Sequence, residues 1–194
     1  MQIRLDSRTG LIEGVHHVAS PNWDERPPGV TIDTLVVHAI SLPPGQFGGG
    51  DIEALFCNRL DPAAHPYYRD LAGLRVSAHL LVRRDGVAIQ FVSFAKRAWH
   101  AGRSRYDGRE RVNDFSIGVE LEGVGDRPYE DAQYEQLCVL SALLVRTYPA
   151  MTPDRIVGHS DIAPGRKTDP GPSFDWQRYR SLLDHRLAGR GATP

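Results

Sequence analysis

His38 and His159 stand in matching contexts. Each closes a short apolar run, Leu35-Val36-Val37 and Ile156-Val157-Gly158, and each enters an irregular segment rich in glycine and proline. A histidine at a strand end beside a loop is well placed to bind a ligand, because the sheet fixes the imidazole. Taken singly, each is equally explained as a satisfied structural histidine. Asp169 follows His159 by ten positions and precedes Pro170, a context that also suits an ordinary turn. Joined to the histidines it would complete a His, His, Asp set. Three protein ligands leave tetrahedral zinc one open position, the catalytic rather than the structural pattern. Such a zinc polarises a carbonyl and lowers the pKa of bound water toward roughly 7.

Two further residues could serve that chemistry. Glu120 alternates onto one face of its run with Glu122, and two solvated carboxylates would look the same. Ser116 and Gly118 give that face no bulk, however, so another group can approach closely there. A carboxylate in such a groove can take a proton from an attacking water. Lys167, two residues before Asp169, is either a surface lysine or a group that stabilises a developing oxyanion. The segment from Lys96 to Arg111 carries a local balance of +4. It reads as a solvated loop, a nucleic-acid patch or a set of arginine forks for carboxylates, with Trp99 and Tyr106 as stacking surface. The chain has no HExxH and so no helix-borne zinc site of the usual kind, no GxSxG to support a nucleophile elbow, and no GxGxxG, which leaves phosphate binding weakly supported.

The elements that must position these residues follow from pattern. Thr31–Ile40 is β-branched and apolar, a buried strand ending near His38. Residues 10–29 read as loop. The Pro/Gly run Ser41–Gly50 reads as a loop that can act as a mobile lid beside His38. A short helix over Ile52–Asn58, capped by Asp51, follows, and Asp61-Pro62 opens another helical turn. Ser77–Arg83 and Val87–Phe91 form a hairpin around Asp85-Gly86. Phe115, Ile117, Val119 and Leu121 alternate with smaller or polar residues, giving a strand. Asp131–Tyr148 is a helix whose stripe includes Leu137, Cys138 and Leu144, which makes Cys138 core filler. Arg155–Gly158 is a short strand, Ser160–Pro172 is irregular, and a last helix starts near Asp175. The tail from Gly189 is expected to fray. Strands and helices mingle, so a mixed sheet with helices on its faces is expected.

Composition narrows the class. The chain has 194 residues, 41% hydrophobic and 24% charged, which suits one globular domain. A net charge of −1 argues against a protein that is basic throughout and wraps nucleic acid. Two cysteines, neither in a CxxC, exclude a disulfide framework and a thiolate zinc module. No run of apolar residues is long enough for a membrane span, and the N-terminal residues lack a signal-peptide core, so a cytoplasmic setting is expected.

Four motifs in one order carry a resemblance. These are Leu35-Val36-Val37-His38 with Ser41-Leu42-Pro43-Pro44-Gly45, Arg97-Ala98-Trp99-His100-Ala101-Gly102, Asn113-Asp114-Phe115-Ser116-Ile117-Gly118-Val119-Glu120, and Gly158–Pro164 with Arg166–Pro172. The chain resembles the AmpD-type N-acetylmuramoyl-L-alanine amidases, zinc enzymes of cell-wall recycling, over roughly residues 15–180. That resemblance implies an α/β (α+β) fold with a mixed central sheet flanked by helices, as one zinc amidase domain over 1–194 with its core at about 15–188. It implies zinc held by His38, His159 and Asp169, with Glu120 as general base and Lys167 as electrophilic partner. It implies that Arg75 and Arg111 hold the peptide's carboxylates, with Ala163 lining the same pocket. The implied substrate is an anhydromuropeptide, cut between the lactyl group of 1,6-anhydro-N-acetylmuramic acid and L-alanine, by a monomer without nucleic-acid or membrane partners. The chain departs from the family pattern at Ala39, where asparagine is usual, and at Ser160, where cysteine is usual. Two other readings stay open: a noncatalytic peptidoglycan-binding module, which would need neither Glu120 nor Lys167, and an exported amidase acting on polymeric wall.

Overall fold

A computed structural model describes residues 3–189. The strands, in chain order, are β1 (Arg4–Asp6), β2 (Leu11–Glu13), β3 (His16–His17), β4 (Trp23–Glu25), β5 (Thr34–Ile40), β6 (Leu80–Val82) and β7 (Ala88–Gln90). They continue with β8 (Lys96–Ala98), β9 (Arg105–Tyr106), β10 (Arg109–Glu110), β11 (Ser116–Glu122) and β12 (Ile156–Gly158). The helices are α1 (Asp51–Phe56), α2 (Asp131–Thr147), α3 (His159–Ile162) and α4 (Trp176–Ala188).

Six strands form the central sheet in the order β12-β5-β11-β6-β7-β3. β12, β5, β11 and β6 run parallel, β6 and β7 form the antiparallel hairpin expected around Asp85-Gly86, and β3 lies parallel to β7. The mixed sheet predicted from the sequence is therefore present. Three small two-stranded ribbons surround it: β1 with β2, β4 with β8, and β9 with β10.

The two faces of the sheet are different. Leu35, Val37, Ile117, Val119 and Leu121 pack with Leu137, Cys138, Leu144, Tyr179 and Leu183 of α2 and α4 into the main core. Successive strand side chains alternate in direction, so Val36, His38, Ser116, Gly118 and Glu120 point to the opposite face. That face is closed by loops rather than long helices, and it carries the polar groups. Cys138 is core filler as expected, 1% exposed.

Several boundaries move for physical reasons. His38 does not end its strand, because β5 continues pairing with β11 through Ile40. Residues 10–29 are not simply loop: they hold β2, β3 and β4, whose partners lie far along the chain and leave little local periodicity. All seven residues of β11 are buried, so Glu120 and Glu122 are not solvated carboxylates. Asp61-Pro62 opens a single turn, in which Asp61 O accepts Ala64 N at 3.1 Å, and a 3₁₀ helix follows over Pro66–Leu71, where His65 Nδ1 accepts the Tyr67 backbone N–H at 3.1 Å. The Ser41–Gly50 loop is tied down: Ser41 Oγ accepts from Gly45 N, Glu122 Oε1 from Gly48 N, and Gly49 O from Arg83. The expected fraying tail lies outside the described residues apart from Gly189. Among the described residues, no helix is long and apolar enough to cross a membrane.

Candidate metal centre

Register explains how distant residues meet. His38 on β5 pairs with Glu120 on β11, and Val37 pairs with Gly158 on β12. Adjacent strands lie about 4.8 Å apart. His159, directly after Gly158, therefore opens α3 beside His38, and Glu120 sits on the other side at the same level. Asp169 is brought in by the loop after α3, where its backbone oxygen accepts Ser160 N at 3.0 Å. The next residues dock on the loop after β11: Pro170 O accepts from Tyr129 Oη at 2.7 Å. Gly171, at φ +87°, packs so closely on Gly125 that a Cβ there would lie 2.3 Å from the Gly125 Cα. Only glycine allows that approach.

Three ligand atoms converge. His38 Nδ1 lies 2.9 Å from His159 Nδ1 and 3.2 Å from Asp169 Oδ2, and His159 Nδ1 lies 3.0 Å from the same oxygen. Both imidazoles are buried. Burial pushes His38 down to about 4, against the pull of Asp169. Burial alone would raise Asp169, but hydrogen bonds with His159 and His38 hold it well below the usual carboxylate range. The set offers two buried imidazole nitrogens and one carboxylate oxygen, the donor types zinc takes.

Each imidazole is also held from behind. His159 Nε2 lies 3.2 Å from Ala101 O, an oxygen that also accepts from Arg166 at 2.7 Å. His38 Nε2 lies 2.9 Å from His100 Nδ1. The expectation that something could approach the bare face of β11 is met by that ring: a Cβ on Gly118 would sit 2.4 Å from His100 Cγ. His79 lies deeper, accepting Gly118 N at Nδ1 over 3.0 Å. Burial, with other basic groups nearby, holds His100 and His79 well below the ordinary histidine value, so both are neutral. Arg26, pushed down to about 10 by burial, caps this layer by donating to Phe94 O, Asn113 O, Asp114 O and Ser116 O. Reading histidines by strand context alone missed His100, which sits in a loop; the signal for it was Gly118 in the middle of an otherwise bulky strand.

Glu120 and Lys167 border the same cavity, of about 420 Å³, as His38, His159 and Asp169. Glu120 is 9% exposed and its buried Oε2 has no hydrogen-bond partner among the described residues. Burial raises its carboxyl well above the usual range, Asp169 adds to the rise, and Lys167 opposes it. Lys167 itself is exposed and held by its backbone N–H to Ala163 O. Leu71, Leu74 and Trp99 give the cavity an apolar wall. Ala39 borders it but packs against the main core. Ser160 donates its backbone N–H to Asp169 O, a role independent of its side chain.

The remaining expected binding residues lie outside that cavity, in two flanking clefts. Arg111 and Ala163 line one of about 800 Å³ together with Arg103, Arg105 and Arg166. Arg75 lines another of about 230 Å³, which shares Leu55, Leu71 and Leu74 with the central cavity. The +4 segment is partly neutralised within the molecule. Arg97 pairs with Asp24 and Asp114, Lys96 with Glu25, and Arg109 with Asp33. Arg103, Arg105 and Arg111 are exposed, Arg111 68% open although its Nε is 3.2 Å from Asp114.

The donor set fits zinc. Nitrogen and oxygen ligands at 2.0–2.1 Å around a tetrahedral centre are about 3.3 Å apart, close to the three separations here, and all three atoms lie within 4.8 Å of one another. The unpartnered Glu120 oxygen in the same cavity fits an incoming polar group rather than a closed structural site.

Residues 28–172 match the N-acetylmuramoyl-L-alanine amidase family. The chain is 56% identical to the 1,6-anhydro-N-acetylmuramyl-L-alanine amidase AmpD of Escherichia coli (strain K12), over 90% of this chain and 94% of that protein. It is 51% identical to the AmpD of Haemophilus influenzae, over 92% and 97%. A crystal structure of a selenomethionine AmpD derivative superposes with a TM-score of 0.89 at 56% identity, covering 92% of this chain and 98% of that one. With the fold, the register and the ligand set in agreement, the chain belongs to the N-acetylmuramoyl-L-alanine amidase family.

Proposed function

We propose that the protein hydrolyses the amide between the lactyl group of 1,6-anhydro-N-acetylmuramic acid and L-alanine of the stem peptide, as a zinc enzyme of cell-wall recycling. The observation that carries this reading is the convergence of His38, His159 and Asp169 beside an unpartnered, buried Glu120. The relatives named for that anhydromuramyl amidase activity, similar over nine tenths of the chain, support the substrate.

His38, His159 and Asp169 would hold the zinc. When bound, the metal supplies Lewis acidity, polarising a carbonyl and acidifying water. Glu120 takes the proton of the water that attacks the lactyl carbonyl carbon. It then delivers that proton to the leaving nitrogen as the C–N bond breaks, and the second water proton passes from the new carboxyl group to the amine, giving a lactyl carboxylate and the ammonium form of L-alanine. Burial, which raises its carboxyl, makes Glu120 a stronger base toward the attacking water. Lys167 places a positive charge where the oxyanion develops. Leu71, Leu74 and Trp99 exclude water from one side of the scissile bond. Arg111, with Ala163 beside it, and Arg75 hold the peptide's carboxylates from the flanking clefts.

The test is mass spectrometry of anhydromuropeptide after incubation with the protein, with and without a chelator. Release of stem peptide that chelation abolishes and Zn²⁺ restores is expected. No cleavage, or cleavage indifferent to chelation, overturns the reading. The cytoplasmic, monomeric, single-domain setting expected from the sequence belongs to the same proposal. It predicts faster release from small anhydromuropeptide than from intact sacculi.

A further inference from the structure

His100 borders the central cavity but is hydrogen-bonded to neither its carboxylates nor the three converging ligand atoms, and its ring is fixed from the sheet side. Its ring lies across Gly118, in space that any other residue there would fill. Its Nδ1 is 2.9 Å from His38 Nε2, and its Nε2 is 3.2 Å from Ser116 Oγ. Ser116 Oγ in turn donates to Val112 O at 2.6 Å. These contacts have one consistent direction when His38 Nδ1 is kept free for a cation. His38 Nε2–H donates to His100 Nδ1, His100 Nε2–H donates to Ser116 Oγ, and Ser116 Oγ–H donates to the carbonyl. The chain of donors ends on a backbone oxygen that has no proton to offer, so nothing along it can reverse while His38 Nδ1 binds a cation.

We propose that His100 is a positioning residue for the metal: through the His100–Ser116–Val112 relay it locks the tautomer and ring angle of His38, and so sets zinc affinity. The inference rests on the reading of His38 as a zinc ligand. Its physical basis is general. A ligating imidazole whose second N–H is held by an acceptor is more basic and better oriented, and loss of such a partner typically weakens metal binding by about 10–100-fold. His159 is held by a carbonyl of the fixed backbone, at Ala101. His38 depends on a side chain, so its orientation can be altered by one substitution that leaves all three ligands in place.

The experiment compares Zn²⁺ dissociation constants, by competition with a chromophoric chelator, for wild type, His100→Leu and His100→Gln. Leucine fills the space and removes the acceptor. Glutamine can offer its carbonyl to His38 and its amide to Ser116. We expect a loss of about 10–100-fold for His100→Leu, with the visible bands of the Co²⁺-loaded protein shifted, and recovery of most of the affinity in His100→Gln. His100→Leu that binds Zn²⁺ as wild type does, or His100→Gln no better than His100→Leu, overturns the inference. Wild type that binds no Zn²⁺ overturns the zinc reading as well, which separates the two failures. Nitrogen-15 spectra of the Zn²⁺-loaded wild type test the relay without any substitution. A coupling between His38 Nε2 and His100 Nδ1, with the His100 proton on Nε2, is expected; a His100 proton on Nδ1 overturns it.

Discussion

β11 carries two carboxylates two residues apart, on one face of the same strand, and their surroundings could hardly differ more. Glu122 is 2% exposed and fully engaged. Its Oε1 accepts Gly48 N at 2.6 Å and its Oε2 accepts Arg84 N at 3.2 Å. It joins the Ser41–Gly50 loop to the β6–β7 turn. Glu120 is buried to nearly the same degree, yet its Oε2 meets no partner. Burying a polar group without a hydrogen bond costs roughly 1–3 kcal/mol on protein scales. The fold satisfies Glu122 at one end of the strand and leaves Glu120, the proton carrier of the proposed reaction, unsatisfied at the other. Burial is thus no guide to the role of a carboxylate; the count of its partners is.

The sharpest way to break this comparison is Glu120→Gln. The amide keeps the volume but cannot carry a proton between water and the leaving nitrogen. Turnover of anhydromuropeptide should fall by about 10²–10⁴-fold, while zinc content measured by atomic emission stays stoichiometric and the thermal midpoint does not drop. Parallel loss of zinc and turnover would make Glu120 a structural partner of the metal centre, and the contrast with Glu122 would collapse.

Much of this arrangement was legible in the sequence because it depends on short-range patterns. The alternation in Phe115–Leu121, the apolar run before His38, the stripe of α2 and the Asp85-Gly86 hairpin each fix local geometry, and each is found. The mixed sheet follows from them. What stayed hidden depends on partners remote in the chain. β3 pairs with β7 across more than seventy residues, and β4 with β8 across a similar span, so the residues from 10 to 29 carry no periodic signal. The polar face of β11 looked solvated because alternation reports two faces but not what covers the second. His100, from a loop, is what covers Gly118. The arginines were the least legible. Their charge was plain, but Asp24, Asp33 and Asp114, which neutralise several of them, are scattered through the chain.

The converse substitution, Glu122→Gln, should act on stability first. It retains one acceptor but turns an amide N–H toward a backbone donor, losing a charge-assisted bond at one end of the loop. A decrease of about 1–3 kcal/mol in unfolding free energy is expected, read from urea titration, together with faster exchange of the Gly48 amide. Because Glu122 does not border the central cavity, kcat should remain near wild type. A large fall in kcat with unchanged stability would show that the loop it anchors takes part in the reaction, and that the two carboxylates serve one function after all.

The smallest effects are expected farthest from β11, in the flanking clefts. Arg111 is mostly exposed, so its pair with Asp114 contributes little to stability, within about 1 kcal/mol. Arg111→Ala should leave the unfolding midpoint unchanged and raise KM by roughly threefold to tenfold, about 0.7–1.4 kcal/mol, with kcat nearly constant. That split marks an interaction made equally in the ground and transition states. Arg75→Ala should do the same from the opposite cleft. The two residues line separate cavities, so their effects should add in free energy, and the double variant should show the product of the two KM changes. A double variant no worse than either single one would mean that the peptide occupies only one cleft. A fall in kcat in either single variant would instead extend the reactive region beyond Glu120, to side chains that the geometry of β11 does not reach.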